Sequence, residues 1–564
     1  MDTSFATVCA IRLGAIAGRA LHVLLLVVVA LAAGRAAEGH VRSEVAVPMR
    51  DGRTLAVDVY LPASTGRWPA ILIQTPYDKR RFIPTLVAAP TDALLGNPDY
   101  AFLVADWRGF YGSASASVRG YDRGLDGYDL VEWAAAQPWC TGDVGTWGGS
   151  ALAVIQFRTA SQRPPHLRAA VPLVGHMADT YELYYPGGVW QRNKNTFVTG
   201  HFGLVGVEDH PLEDGFWALV DATAIQPASI DVPMLHVSGW YDHETEISLA
   251  SAAAIRTDGG PNARGRQWVL VGPWTHGGID ELQQGQLTYP AAAGEAARQA
   301  AAFFDRYLRG IANGWEGRPV FRTFSINDNA WRDTETWPPP AARTQRLYLA
   351  PNAALADAPA PNAAPQAYLS DPANPVPTLF GAILTEGWGS QGPGDLRPVE
   401  ARADVLTFTT PPLGRPLHLE GTPLASVVIE CSAVDTDVAV RLTQVDPDGR
   451  SVLLVDGIRR ASLRSSLSSR QLLAPATPVR VPVKLPPVAV TIPAGHRLRV
   501  LVASSNYDRF DVNMQDGSSL SDAPGARPVT AEVRVLLDSA NPSWIDLPVV
   551  GASQARRHLQ RSGH

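Results

Sequence analysis

Short apolar runs and amphipathic stretches alternate through the first half of the chain. The apolar runs suit buried strands, and they lie at residues 69–74, 100–105, 169–174, 232–238 and 267–271. Helical patterns lie between them, for example at 127–136 and 295–309, and Gly310 is placed to end the second helix. Alternating strands and helices predict an α/β domain over residues 45–335, with a parallel sheet covered by helices on both faces.

The pattern changes after the Thr-Trp-Pro-Pro-Pro segment at residues 336–340. A stretch rich in Ala, Pro and Asn follows to about residue 377, and this composition predicts a loop. Beyond it, residues 404–410, 425–431, 437–445 and 496–504 read as strands separated by turns. We therefore predict a C-terminal β-sandwich domain over residues 340–555.

The N-terminus has the layout of a secretory signal. Arg12 and Arg19 precede an apolar run at residues 23–34, which small residues close off. The run is shorter than the roughly 20 residues that a membrane span needs. We predict a signal peptide at residues 1–37 and a secreted or periplasmic protein with no stable membrane span after cleavage. An uncleaved N-terminal membrane anchor is the alternative.

Composition narrows the class of protein. Hydrophobic residues make up 46% and charged residues 18%, which is typical of a folded chain. The net charge is −6 and no basic tract occurs, so nucleic acid is not an expected partner. Removal of the signal leaves Cys140 and Cys431, which we expect to be free and structural rather than a disulfide framework.

Ser150 lies in VGTWGGSALAV, at residues 144–154. In serine hydrolases built on an α/β sheet, the nucleophile occupies a sharp turn between a strand and a helix, with small residues around it. Gly148 and Gly149 allow such a turn, and residues 151–160 suit the helix that follows. The tripeptide Gly-Gly-Ser alone more often marks an ordinary turn, so the assignment depends on its context.

That context is an acid and a base in the expected chain order. A serine hydroxyl needs a histidine base oriented by a carboxylate, and in this fold the order is serine, acid, histidine. Asp242 follows one apolar run and His276 follows the next. His236 lies within a strand and is interpreted as a core residue. A metal set of His243, Glu244 and Glu246 is too local to form a site, so we expect neither metal nor cofactor.

The chain resembles a known family in several blocks. They include TPYDK (75–79), DWRG (106–109), GWYD (239–242), GPWTH (272–276), FFDRYLRG (303–310), AVDTDVAVRLTQVDPDGRS (433–451) and SSNYDRFDVN (504–513). Their order and spacing are similar to those of the cocaine esterase and Xaa-Pro dipeptidyl-peptidase family of serine hydrolases (CocE/NonD hydrolases). The resemblance implies an α/β-hydrolase domain with a helical cap insertion at about 176–230. It also implies that the C-terminal β-sandwich is a jelly roll (galactose-binding-like).

The resemblance assigns roles to single residues. Ser150 matches the nucleophile, Asp242 the orienting acid and His276 the base. Tyr77 matches a tyrosine whose hydroxyl serves the oxyanion hole, and the backbone N–H of Ala151 is the second donor. The family pattern is G-x-S-Y-x-G, whereas this chain has Ala151 in place of the tyrosine and Ala153 in place of the last glycine. We expect these changes to alter the shape of the pocket rather than to abolish catalysis.

Candidate substrate-binding residues follow from position and from the resemblance. Trp240 and Tyr241 precede the predicted acid and are expected at the mouth of the site. Glu244 matches a carboxylate that binds the substrate ammonium group in relatives acting on α-amino acid esters, and Asp179 or Glu182 would complete an acidic patch. The alternative is that Glu244 is a solvated loop carboxylate.

The function predicted from the sequence is hydrolysis of a carboxylic ester or amide, in a small molecule or short peptide, through an acyl-enzyme. An Xaa-Pro dipeptidyl-peptidase or an α-amino-acid ester hydrolase or acylase is the first alternative. A catalytically silent hydrolase fold used for binding is the second. The sequence leaves the oligomeric state open.

Overall fold

A computed structural model gives the structure of residues 40–81, 94, 96–202, 206–384 and 391–551. The predicted signal peptide at 1–37, and with it the alternative of an N-terminal anchor, lies outside the described residues. Within the described ranges, no helix is both long and apolar enough to cross a membrane.

The first part of the chain forms a ten-stranded sheet and a small separate hairpin. The strands are β1 (Val41–Pro48), β2 (Thr54–Leu61), β3 (Trp68–Thr75), β4 (Ala101–Asp106), β5 (Cys140–Gly149), β6 (Leu167–Leu173), β7 (Met234–Tyr241), β8 (Gln267–Thr275), the hairpin strands β9 (Gln283–Gln284) and β10 (Leu287–Thr288), β11 (Phe321–Ser325) and β12 (Ala330–Thr334). The sheet order is β1-β2-β4-β3-β5-β6-β7-β8-β11-β12. All pairings from β4 to β11 are parallel, as the sequence pattern predicted.

Helices cover both faces of this sheet. They are α1 (Arg123–Ala135), α2 (Ala151–Ser161), α3 (Tyr181–Tyr184), α4 (Arg192–Phe202), α5 (Gly215–Ala222), α6 (Thr245–Asp258) and α7 (Glu295–Leu308). Because successive side chains of a strand point to opposite faces, Ile71 and Ile73 of β3 belong to one buried core and Ala70 and Leu72 to another. Gly310 has a φ of 69°, and it follows the end of α7 as expected.

The helices α3, α4 and α5 lie in the long connection between β6 and β7, where the cap was predicted. This cap has its own hydrophobic cluster of Tyr181, Leu183, Tyr184, Tyr185, Trp190, Val207 and Trp217. Most of the cap aromatics therefore stabilise the cap itself rather than line a pocket.

The second part of the chain is a β-domain. Its elements are β13 (Ala342–Ala350), β14 (Ala354–Ala356), β15 (Gln366–Ser370), α8 (Arg397–Glu400), β16 (Leu406–Thr409), β17 (Leu417–Gly421), β18 (Leu424–Cys431), β19 (Asp437–Val445), β20 (Ser451–Arg460), β21 (Val479–Lys484), β22 (Val488–Ile492), β23 (Arg497–Ala503), β24 (Ala531–Val535) and β25 (Trp544–Val550). The central order is β15-β24-β18-β25-β13-β14-β16-β23-β19-β20. Cys140 and Cys431 are both buried and free, as expected.

The loop predicted for the Ala/Pro/Asn-rich stretch is wrong over much of its length, because β13, β14 and β15 lie there. β13 pairs with β25, and β15 pairs with β24. The hydrogen-bond partners of these strands come from the far end of the chain, so local composition does not reveal them.

The cap is pressed against the β-domain. Arg192 Nε donates to Asp511 Oδ1 at 2.8 Å, and the backbone N–H of Asp511 donates to the carbonyl of Trp190 at 2.8 Å. A Cβ on Gly187 would lie 1.9 Å from the carbonyl oxygen of Ile458 in β20, so the two backbones are in contact there. Contacts with the β-domain therefore help to hold the cap in its position.

Candidate active site

Ser150 occupies a strained turn between β5 and α2. Its φ and ψ are 59° and −124°, a conformation that a non-glycine residue rarely adopts. Gly148, with a φ of 143°, lets the chain enter this turn, and a Cβ there would lie 2.6 Å from the Leu152 side chain. This strand–turn–helix geometry is the one that exposes a serine nucleophile above an α/β sheet.

The extra methyl group of Ala153 is accommodated across the turn. Ala153 is fully buried, and a Cβ built on Gly175 would lie 2.4 Å from the Ala153 Cβ. Residue 175 can therefore carry no side chain while residue 153 carries one. Because Gly175 has no side chain, the methyl group of Ala153 fits between the helix after Ser150 and the sheet, and the two can pack closely.

Asp242 and His276 lie at the carboxyl ends of neighbouring parallel strands. Each directly follows its strand, β7 or β8, and His276 Nδ1 lies 2.8 Å from Asp242 Oδ1. The backbone N–H of Glu244 donates to the same carboxylate oxygen at 3.1 Å. Burial lowers the pKa of His276, but the charge of Asp242 and their hydrogen bond outweigh it, so the pKa is raised overall.

Tyr77 lines the same cavity as Ser150, and their side chains are hydrogen-bonded. Burial raises the pKa of Tyr77 to about 12, so the phenol keeps its proton at neutral pH. The loop that carries it is fixed, because its own N–H donates to Thr75 Oγ1 at 2.9 Å. Ala151 is the first residue of α2, where backbone N–H groups lack acceptors within the helix. A phenolic hydroxyl and a backbone N–H therefore adjoin Ser150.

A cavity of about 290 Å3 joins these groups. Of the predicted site residues, Tyr77, Ser150, Ala151, Glu244 and His276 line it, while Asp242 is 2% exposed and lies behind His276. The remaining wall is largely apolar and aromatic, with Trp107, Phe110, Tyr121, Val154, Ile155, Leu183, Tyr184, Phe197, Val198 and Leu384. It carries charges at Arg123, Arg158, His176, Asp179 and Lys194, and the ring of His243 completes the lining.

Trp240 and Tyr241 do not reach the cavity, which corrects the expectation that they lie at its mouth. Trp240 Nε1 donates to the Phe324 carbonyl at 2.8 Å, and the Tyr241 hydroxyl donates to the Leu453 carbonyl at 3.3 Å. The predicted strand ended at Ser238, but β7 continues to Tyr241. Both side chains therefore lie in the buried layers that flank the sheet.

The structure adds two cap residues that the sequence motifs did not identify. His176 contacts Glu244, since its Nδ1 lies 3.0 Å from Glu244 Oε2. Lys194, from α4, is only 3% exposed and also lines the cavity. Asp179 is in the wall as well, whereas Glu182 is exposed and outside it. The sequence around His176 and Lys194 contains no motif that would predict their position in the cavity wall.

Within the described part of the chain, one group has the spacing of metal ligands. Ligand atoms of Asp242, His243 and His276 lie within 4.8 Å of one another. The set suggested by the sequence was different, because it had Glu244 and Glu246 in place of Asp242 and His276. A metal held by Asp242 Oδ1 and His276 Nδ1 would replace the hydrogen bond between them.

The sheet order, the cap and the serine turn are those of an α/β hydrolase. Two family models match the chain: X-Pro dipeptidyl-peptidase (S15 family) over residues 51–205, and the X-Pro dipeptidyl-peptidase C-terminal non-catalytic domain over residues 313–546. Cocaine esterase from a Rhodococcus species is 31% identical in an alignment that covers 90% of this chain and 98% of that protein.

Solved structures agree. An α-amino acid ester hydrolase superposes with a TM-score of 0.79 and 25% identity, and an aminopeptidase from a marine sediment Thaumarchaeota archaeon with a TM-score of 0.79 and 24% identity. Each covers 91% of this chain and 97% of the other. At 24% identity, the similarity to the aminopeptidase is evidence for a shared fold and not for a shared activity. The chain belongs to the family of cocaine esterase and the X-Pro dipeptidyl-peptidases, and it is an enzyme of the serine-hydrolase type. The predicted family and fold class are confirmed.

Proposed function

We propose that this protein hydrolyses carboxylic esters of small molecules through an acyl-enzyme on Ser150. The observation that carries the proposal is the hydrogen bond between His276 Nδ1 and Asp242 Oδ1, 2.8 Å long, beside the cavity that Ser150 and Tyr77 line. Tyr77 supports it, because its hydroxyl is already hydrogen-bonded to Ser150.

In this mechanism, His276 accepts the proton of Ser150 as its oxygen attacks the substrate carbonyl. Asp242 holds the ring by its Nδ1–H and stabilises the imidazolium that forms. The Tyr77 hydroxyl and the Ala151 N–H donate to the oxyanion. His276 then gives its proton to the leaving group, and water releases the acid by the same steps. No cofactor or metal is required.

The wall of the cavity supports an uncharged, apolar acyl or aryl group as the part of the substrate next to the carbonyl. Alkyl and aromatic contacts are offered in the cavity that Ser150 lines by Val154, Ile155, Leu183, Phe197 and Val198. The 31% identity to an enzyme named cocaine esterase also favours an ester.

Amide or α-amino substrates are a second candidate, of the X-Pro dipeptidyl-peptidase or α-amino-acid ester hydrolase type. The observation that favours them is the presence of two carboxylates, Glu244 and Asp179, in the wall of the cavity. Such a substrate would bring an ammonium group to them.

We also propose that the protein is exported. The support is the basic, apolar and small-residue order at residues 1–37, which is typical of a secretory signal. Sequencing the N-terminus of the protein recovered from the culture medium or periplasm tests this. Protein that retains residues 1–37 in the membrane fraction would favour the anchor instead.

A fluorophosphonate probe tests the mechanism directly. Wild-type protein should be labelled on Ser150, and Ser150→Ala should remain unlabelled. The ratio of kcat/KM for p-nitrophenyl butyrate to that for Gly-Pro-p-nitroanilide then separates the two candidates, and a high ratio supports the esterase. Folded wild-type protein without labelling would indicate a binding protein with a silent hydrolase fold.

A further inference from the structure

A chain of charged groups lies in the cavity wall next to the proposed catalytic residues. The two ring nitrogens of His176 face two carboxylates: Nδ1 is 3.0 Å from Glu244 Oε2 and Nε2 is 3.5 Å from Asp179 Oδ1. His176 and Glu244 are 7% and 8% exposed. Burial lowers the pKa of His176, but the two carboxylates overcome this effect and raise it to about 10. The ring is therefore a cation at neutral pH, held between two anions.

Lys194 adds a second cation to the same wall. Its ammonium group donates to the carbonyl of Leu183 and lies 4.6 Å from the centre of the Tyr184 ring. It makes no direct ion pair with any carboxylate in the described ranges. The negative charges of Glu244, Asp179 and Asp242 nevertheless act on it at longer range and favour its protonated form. Burial lowers the pKa of Lys194 to about 8, so the side chain is charged at neutral pH. The protein therefore places an ammonium group of its own in the wall of the cavity.

The charges of the wall therefore do not favour another cation. Glu244 and Asp179 are balanced by His176 and Lys194. Arg123 and Arg158 line the same cavity. Arg123 lies 5.3 Å and 5.4 Å from the ring centres of Trp107 and Phe110, and neither arginine forms an ion pair within the residues that the structure describes. A carboxylate can bind a substrate ammonium group only if its charge is not already neutralised by a neighbouring cation. Here His176 and Lys194 neutralise the two carboxylates.

We propose that the cavity discriminates against substrates with an ammonium group next to the scissile carbonyl, and that Lys194 is the residue that determines this specificity. The inference rests on the proposed ester hydrolysis at Ser150 and narrows its substrate class to acyl groups without a positive charge. Glu244 then serves to hold His176 and the cap in place, rather than to bind a substrate amine.

Two esters of matched shape test the proposal. In 4-nitrophenyl isobutyrate a methyl group stands where the 4-nitrophenyl ester of L-alanine has an ammonium group. The kcat/KM of both is measured at about pH 6.5, below the α-amino pKa of about 7.7–8.0, so that the amine is charged. Each kcat/KM is divided by the rate of hydroxide-catalysed hydrolysis of the same ester, because an α-ammonium group activates the carbonyl. On this scale wild-type protein should prefer the isobutyrate by about tenfold or more, because a second ammonium group near Lys194 meets a like charge and finds both carboxylates already paired with cations.

Variants of Lys194 assign the effect. Lys194→Met keeps the length of the side chain and removes the charge, and it should lower the preference for the isobutyrate by about tenfold. Lys194→Arg keeps the charge and should retain the preference. If Lys194→Met does not fold, Lys194→Gln removes the charge while keeping a donor for the Leu183 carbonyl. Each ratio is taken on one preparation, so a change in the active fraction cancels.

The outcomes distinguish the role of Lys194 from the esterase activity of Ser150. A wild-type protein that hydrolyses both esters equally, or a preference that persists in the uncharged variants, overturns the role of Lys194 and leaves the esterase proposal standing. Isobutyrate hydrolysis that survives Ser150→Ala overturns the proposed function itself, and the inference falls with it.

Discussion

Replacing Tyr77 with phenylalanine removes one hydroxyl group and keeps the ring. In the structure this hydroxyl is hydrogen-bonded to Ser150, and its pKa is raised to about 12 by burial, so it is a neutral donor at the pH of any ordinary assay. If it donates to the oxyanion, it stabilises the transition state more than the ground state. Loss of one such donor costs about 2.7–4 kcal/mol, which is a fall of about 10²–10³ in kcat.

Steady-state hydrolysis of p-nitrophenyl butyrate measures this effect. We expect kcat to fall with little change in KM, because the Ala151 N–H remains and the apolar wall of the cavity is unchanged. Tyr181→Phe is the matched control, since this hydroxyl donates to the Pro211 carbonyl at 2.8 Å within the cap. The control should lose about 1 kcal/mol of stability and keep its kcat. A Tyr77→Phe enzyme within about threefold of the wild-type kcat would refute the oxyanion role.

Two further predictions concern the base and the turn. His276 must be unprotonated to act, and Asp242 raises its pKa against the effect of burial, so kcat/KM should fall on the acid side with an apparent pKa above the ordinary value of a histidine. Asp242→Asn should move this limb to lower pH and reduce kcat by about 10⁴-fold, and an unmoved limb would contradict the assignment. Gly175→Ala places a Cβ 2.4 Å from that of Ala153 and should cost about 1–3 kcal/mol in chemical denaturation, whereas the double variant with Ala153→Gly should recover most of it. Simple addition of the two single effects would show that the residues do not share this space.

Patterns within single segments predicted much of the hydrolase sheet. The apolar runs correspond to β3, β4, β6, β7 and β8, because buried parallel strands are apolar on both faces and so are visible in the sequence. The chain order of serine, acid and histidine then placed Asp242 and His276 at neighbouring strand ends, where the structure brings them together. These features depend on local composition and on rules of connection.

Features that depend on contacts between distant segments were not predictable in this way. The extension of β7 to Tyr241 depends on its pairing with β8. Because the strand continues, Trp240 and Tyr241 lie in the core rather than at the predicted mouth of the cavity. His176 and Lys194 reach the cavity only through the fold of the cap. Neither residue belongs to a motif, and a single sequence gives no measure of which polar cap residues face inward.

The contact between the cap and the β-domain has a consequence for how substrate enters. With Gly187 pressed on the backbone of Ile458 and Arg192 bound to Asp511, the cap cannot swing outward as a rigid lid without breaking both contacts. The walls of the cavity are therefore in position before a substrate arrives. The entropy of ordering them is lost once, when the protein folds, and not again in each catalytic cycle. Selectivity in such a site rests on fit to a preformed shape and charge.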